Sequence, residues 1–158
     1  RETEDMTSHT MRLIWATAIA VLMIVALPTA SACPYELPVW TVKVNDQPLM
    51  LEVAESPEAR QCGLSRRTSL APDQGMLFIF PRKMPVAFWM QDTGLALSIA
   101  FLDKTGRIVD IQTMASGQTN VLYQSPGPVS YAVEVNRDWF SRHQVNVGDI
   151  VDIPGRGQ

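Results

Sequence analysis

Residues 75–93 read GMLFIFPRKMPVAFWMQDT, and the way this stretch pairs decides the fold. Two apolar runs, 76–80 and 86–90, flank a basic turn, Arg82 and Lys83, that carries a proline at each end, Pro81 and Pro85. Both runs have strand length and β-prone composition, so the stretch is expected to form the core strand pair of a small β fold. A polar step, Gln91, Asp92 and Thr93, closes the unit. In a strand over 86–90, period two places Phe88 and Met90 on one face and Trp89 on the other. Trp89 then either packs under a loop or lines a pocket.

Upstream, residues 39–44 predict a strand, Asn45 to Pro48 a turn, and residues 50–54 its hairpin partner. Ser56, Pro57 and Glu58 supply an N-cap, a first-turn proline and a dipole-matched acid, so a short helix runs to Cys62 and Gly63 ends it. Arg66 and Arg67 follow in a loop that reaches Pro72 and Asp73. Downstream, Leu95, Leu97, Ile99 and Phe101 alternate with the small residues Ala96, Ser98 and Ala100, which gives one bulky face and one small face. A tight turn at 103–106 returns the chain through residues 107–114. A polar loop follows, then a type II turn over Ser125, Pro126, Gly127 and Pro128. Residues 129–135 turn Val129, Tyr131, Val133 and Val135 inward and leave Ser130, Ala132 and Glu134 opposite. Asn136 is placed to cap a helix through His143, and residues 150–153 form a last strand. The sum is a mainly β (α+β) fold of about seven to eight short strands and two short helices. Such strands close most economically into a compact barrel or a strongly bent antiparallel sheet, because closure removes exposed edges.

At 158 residues, 46% hydrophobic and 18% charged with net charge −3, the chain suits one globular domain and excludes disorder. Arg12 precedes an apolar run over 13–27, Pro28 breaks it, and Ala30 and Ala32 stand at −3 and −1 of a cut before Cys33. Residues 1–32 are therefore expected to be a leader and signal peptide, with translation starting at Met11 and a single domain over 33–158. An exported, mildly acidic chain makes nucleic acid a poor partner. Cys33 and Cys62 admit three readings: a disulfide contributing about 3–4 kcal/mol by closing its loop, a lipoprotein acylated at Cys33, or two unrelated thiols. Any membrane attachment would run through the signal peptide or that lipid.

The residues carry no catalytic signature. Nucleophilic catalysis needs a base, and after the leader the chain has one histidine, His143, with no GxSxG. One histidine and two distant cysteines lack metal-ligand spacing, and no phosphate loop occurs, so neither metal nor cofactor is expected. Asp92, Asp110 and Glu134 are the carboxylates nearest apolar strands and could do acid or base work; their ordinary roles are turn capping and solvated strand faces. If Glu134 faces a concavity, Arg67 is its natural partner. Arg82 and Lys83 at a turn tip are expected to hold loops by ion pairs.

Gly63-Leu64 followed by Arg66 and Arg67, GMLFIF at 75–80, FWM at 88–90, residues 97–103 and 123–134, and Gly148-Asp149 together resemble the domain of unknown function 192 (DUF192), also called UPF0127. The resemblance covers 39–153. It implies a small, mainly β, often exported protein without an established activity. The chain departs from the family pattern at Ser65, where Met is usual, at Asp92, where Asn is usual, and at Ser98, where Asp is usual.

These readings lead to an exported, non-enzymatic module whose small face, with Arg67, Trp89, Asp92, Thr93, Ser98 and Glu134, binds a small polar ligand. A hydrolase using Asp92 and Glu134, and a structural partner of an envelope protein complex, are the alternatives.

Overall fold

The computed structural model describes residues 36–155, all within one compact unit of the chain. The signal-peptide reading, Met11 and Cys33 lie outside the described residues.

The first hairpin forms as its turn chemistry dictates. β1 (Val39–Val44) pairs antiparallel with β2 (Gln47–Ala54) across a two-residue loop. Asn45 and Asp46 both take positive φ, as a type I′ turn requires, and their short polar side chains tolerate that conformation. β2 therefore starts at Gln47, three residues earlier than the sequence suggests. The helix α1 (Pro57–Cys62) follows, with the Ser56 hydroxyl accepting from the Ala59 amide at 3.1 Å and Gly63 ending it at positive φ.

The stretch at 75–93 does not fold into a strand pair. β3 (Gln74–Met84) runs straight through the basic segment as one 11-residue strand, with a register irregularity between Ile79 and Met84 where Pro81 cannot donate to a ladder. Its partners are β2 and β8, and the second apolar run contributes only β4 (Ala87–Phe88), which pairs with β7 (Tyr123–Gln124). The β2·β3 pair is parallel, so the sheet is mixed and not wholly antiparallel. Residues 55–73, α1 included, form the crossover that a parallel pair needs.

β5 (Leu97–Leu102) and β6 (Ile108–Met114) make the expected hairpin, and β8 (Val129–Asn136) inserts between β3 and β5. The six-stranded order is β1-β2-β3-β8-β5-β6. Two isolated bridges, Val44 with Val151 and Arg107 with Ile150, join the C-terminal segment to the ends of both edge strands. The sheet is thereby strongly bent but not closed, and the expected strand over 150–153 is reduced to this clasp. The turn at Ser125–Pro128 is not type II, since Gly127 lacks the required positive φ. Nor does Asn136 cap a helix: it ends β8 and its amide donates to the carbonyls of Leu70 and Ala71. The second helix, α2 (Trp139–Arg142), has Asp138 at its N-cap position.

Both faces of the central strands are buried. One face carries Val42, Leu51, Leu77, Val133 and Val135 beneath Trp139 and Phe140. The other carries Met76, Phe78, Ile99, Phe101 and Ala132, covered by Ala59 and Leu64 from the α1 side and by Met90 and Tyr123. Every residue of β5 is buried, so Ser98 and Ala100 of the expected small face are packed rather than open, and Ala96, just before the strand, is half-buried. β3 and β8 approach so closely that a Cβ on Gly75 would meet the Glu134 carbonyl at 2.2 Å.

Candidate functional site

On the second face, a cavity of about 640 Å³ lies among α1, the loop after it and the segment from Phe78 to Thr93. That volume suits a small organic ligand. Its apolar wall includes Leu64, Phe78, Phe80, Val86 and Phe88. Phe78 and Phe88 meet edge to face at 4.9 Å, and Phe88 tilts against Phe101 at 5.9 Å. Trp89 also lines the cavity and is 57% exposed, which places it at the mouth.

Among the described residues, Glu134 is the one carboxylate in the lining. It sits in the middle of β8, between Met76 on β3 and Ile99 on β5, so the sheet gives it apolar neighbours on both sides. Burial alone pushes its carboxyl up to about 8, since no neighbouring charge or hydrogen bond opposes the loss of water. At neutral pH most of this population is the uncharged acid, able to donate one hydrogen bond and accept others. No fully sealed side-chain oxygen or nitrogen lacks a partner among the described residues, so the Glu134 oxygens reach the cavity rather than lie closed off in the sheet.

Arg67 does not reach Glu134. Its guanidinium binds both oxygens of Glu52 on β2, each at 2.6 Å. Glu52, Met76, Glu134 and Ile99 occupy one rung of the sheet, so the two carboxylates stand on the same face two strands apart, roughly 10 Å. Arg60 lines the cavity but donates to the carbonyls of Glu55 and Ile79, the second at 3.1 Å, and lies over the Phe80 ring. Arg82 lines the cavity from the exposed part of β3; Lys83 does not line it.

Of the residues expected at the site, the structure brings Trp89, Thr93 and Glu134 together and leaves Arg67, Asp92 and Ser98 out of the lining. Thr93 is buried, and its hydroxyl donates to the Gln91 carbonyl at 3.2 Å. Ser98 sits on the opposite side of β5, where its hydroxyl accepts from the Asp138 amide at 3.1 Å. It anchors the entry to α2, a role that needs an acceptor and no charge. Asp92 is exposed in a turn at φ 54, and its carbonyl accepts from the Arg66 amide at 2.7 Å. Asn and Asp tolerate that left-handed backbone alike, which explains the exchange at this position. Asp110 accepts from Gln112 at 2.7 Å on β6, and His143 stacks on Trp139 at 4.3 Å in the other core; neither lines the cavity. The Asp92–Glu134 carboxylate pair is therefore not assembled in the cavity.

The α1 side of the wall, Arg60 to Ser65, was not foreseen as part of the site. Gly63, with its positive φ, approaches Phe78 so that a Cβ would sit 3.4 Å from the ring. The only local signal was the Gly63-Leu64 pair, which marks the end of a helix and says nothing of what the helix end faces.

Two solved structures share the fold. A candidate transcription regulator from Sinorhizobium meliloti 1021 is 31% identical with a TM-score of 0.72, over 75% of this chain and 96% of that one. A protein of unknown function from Novosphingobium aromaticivorans DSM 12444 is 24% identical with a TM-score of 0.70, over 77% and 91%. Comparison with curated proteins found no match. The DUF192 family, described as "Uncharacterized ACR", matches residues 40–153, and the chain belongs to it.

Proposed function

We propose that this protein is an exported, non-enzymatic binding module whose small ligand enters the aromatic cavity and bonds to Glu134. One observation carries this reading: a buried carboxyl that faces an open cavity with no partner of its own. A polar group taken out of water without a hydrogen bond costs about 1–3 kcal/mol, so it persists where something outside the fold completes it. Trp89 at the mouth supplies a flat apolar surface that the fold leaves exposed. The hydrolase alternative loses ground because Asp92 stays outside the cavity, and one carboxyl supplies an acid without its complementary base. A nucleic-acid reading, which the designation of the Sinorhizobium protein would suggest, finds no support in a chain of net charge −3.

Export rests on the leader at 1–32, and with it goes an oxidising compartment in which Cys62, in the cavity wall, pairs with Cys33. Mass spectrometry of the mature N-terminus tests this, and a diacylglyceryl Cys33 would sink the disulfide. Binding is tested by a thermal-shift screen of the mature protein against amines, sugars, short peptides and anions. A hit should raise Tm in the wild type and not in Trp89→Ala. No shift with any compound would turn the reading towards a structural partner of an envelope protein, and turnover of a hit would turn it towards an enzyme.

A further inference from the structure

Resting on the binding reading above, we infer that the cavity takes a cationic amine, with the ammonium against the Glu134 carboxyl and its apolar stem between Phe78, Phe88 and Trp89. Among the described residues, the charged groups that line the cavity or lie beside it, Arg60, Arg82, Arg67 and Asp92, leave Glu134 without a charged partner. On either side in the sheet stand Met76 and Ile99, which carry no charge. From the α1 side, Arg60 is held by two backbone carbonyls and the Phe80 ring, and Arg67 by Glu52. From the far end of β3, Arg82 reaches the wall at an exposed position, and Asp92 in the turn after β4 lies outside the lining.

The carboxyl is thus left without the positive partner that a buried carboxylate requires. A ligand ammonium supplies it, and on binding the carboxyl proton passes to solvent, leaving a carboxylate–ammonium pair. The surrounding rings favour the same charge, because the faces of Phe and Trp attract cations once water is excluded. A ligand carboxylate or phosphate meets a like charge in a poorly solvated space once Glu134 ionises near pH 8, which is where like charges cost most and where the amine binds best. A neutral hydroxyl could bond to the protonated acid but would bring no charge.

Calorimetry on the mature protein with phenethylamine, phenethyl alcohol and hydrocinnamate separates these cases, since the three share a ring and stem. The amine should bind at least about tenfold tighter than the other two at pH 8 and weaken by about tenfold per pH unit between pH 8 and pH 6, as Glu134 must first lose its proton. Titrations in buffers of different ionisation enthalpy should show close to one proton released per amine bound at pH 7. Glu134→Gln should bring the amine down to the affinity of the alcohol, and the proton count on the wild type gives the same answer should that variant fold poorly. Alcohol or hydrocinnamate binding as tightly as the amine, amine binding without proton release, or no saturation with the amine overturns the inference. Hits of other chemistry in the thermal-shift screen would leave the binding reading standing; an empty screen would remove both.

Discussion

Glu52 and Glu134 lie on one rung and one face of the same sheet, two strands apart, yet the fold treats them in opposite ways. Glu52, near the edge, is partly exposed and held by both arms of Arg67. Glu134, in the centre, is 5% exposed and has no hydrogen-bond or charged partner among the described residues. Burial is therefore not what earns a carboxylate its partner here. The loop after α1 crosses the sheet over β2, so Arg67 meets the first carboxylate on its path. What the fold completes by itself serves its own stability, and what it leaves open is where the proposed ligand would bind.

The largest effect that would break this contrast is the dependence of stability on pH. The folded-state value of Glu134 is raised from 4.5 to about 8. Below pH 4.5 the group is protonated in both states and stability is full. As pH rises above 4.5 the unfolded chain ionises first, and stability falls until the folded carboxyl ionises near pH 8, after which it levels. The loss is roughly 3–5 kcal/mol. Chemical denaturation from pH 4.5 to 9 should show this slope in the wild type and lose most of it in Glu134→Gln, whereas Glu52→Gln should leave the slope in place. Equal flattening by both variants would mean that Glu134 is not the distinct group described. Asp103 titrates in a different window. Partial burial raises its carboxyl, but bonds from the Thr105 hydroxyl and the Thr105 and Arg107 amides outweigh that and lower it, so its contribution disappears only as pH falls below the usual carboxylate range.

Next in size is the mount that holds Glu134 in the open. Gly75→Ala would place a methyl group 2.2 Å from the Glu134 carbonyl, and that atom is backbone in the middle of a ladder. β3 and β8 must move apart, at a cost of about 2–4 kcal/mol. Urea unfolding should show this loss, and any surviving fold should bind ligand more weakly even though every cavity side chain is intact. Glu52, on the far side of β3, should keep its coupling to Arg67. A Gly75→Ala protein as stable as the wild type would show that the strand contact is looser than described.

Arg67→Ala tests the other member of the comparison. It strands a partly exposed carboxylate and should cost about 1–2 kcal/mol, with ligand binding at the cavity unchanged. A double-mutant cycle should give Arg67 a coupling of about 1 kcal/mol with Glu52 and none beyond error with Glu134. Coupling to Glu134 would restore the pairing expected from sequence alone.

That expectation shows where sequence is informative in this protein. Local chemistry was readable: the Asn45-Asp46 turn, Ser56 and Gly63 at the ends of α1, and the alternation that sends Ala132 and Glu134 to the face away from Tyr131 and Val133. Pairing at a distance was not. The two prolines in the basic segment looked like the bounds of a hairpin turn, but β3 tolerates Pro81 in its exposed final stretch and ends at Met84, just before Pro85. The strand's partners come from residues far along the chain, which no period in 75–93 encodes. Once β3 pairs parallel with β2, α1 must cross over the sheet, and this crossing both closes one side of the cavity and delivers Arg67 to Glu52. At Glu134 and Trp89 sequence left two readings each, a solvated strand face or a concavity for the carboxylate and a loop or a pocket for the indole, and alternation alone does not choose between them. The site was illegible at Arg60 and Phe80, which are ordinary residues until α1 is placed.

Asp92 carries the smallest predicted effect and gives the carboxylate comparison its third member: exposed, outside the cavity, and chosen for its backbone. At φ 54 it holds a turn whose carbonyl takes the Arg66 amide, tying the loop after α1 to the end of the aromatic segment. Asp92→Asn keeps a side chain that tolerates this conformation, so stability should change by less than about 0.5 kcal/mol and affinity for any cavity ligand should not change. Asp92→Ala should cost about 1 kcal/mol, because a plain Cβ is strained at that φ. Thermal melts and ligand titrations of the two variants side by side distinguish backbone from charge. Loss of ligand binding in Asp92→Asn would show that the charge matters at the site, and would revive a two-carboxylate chemistry shared with Glu134.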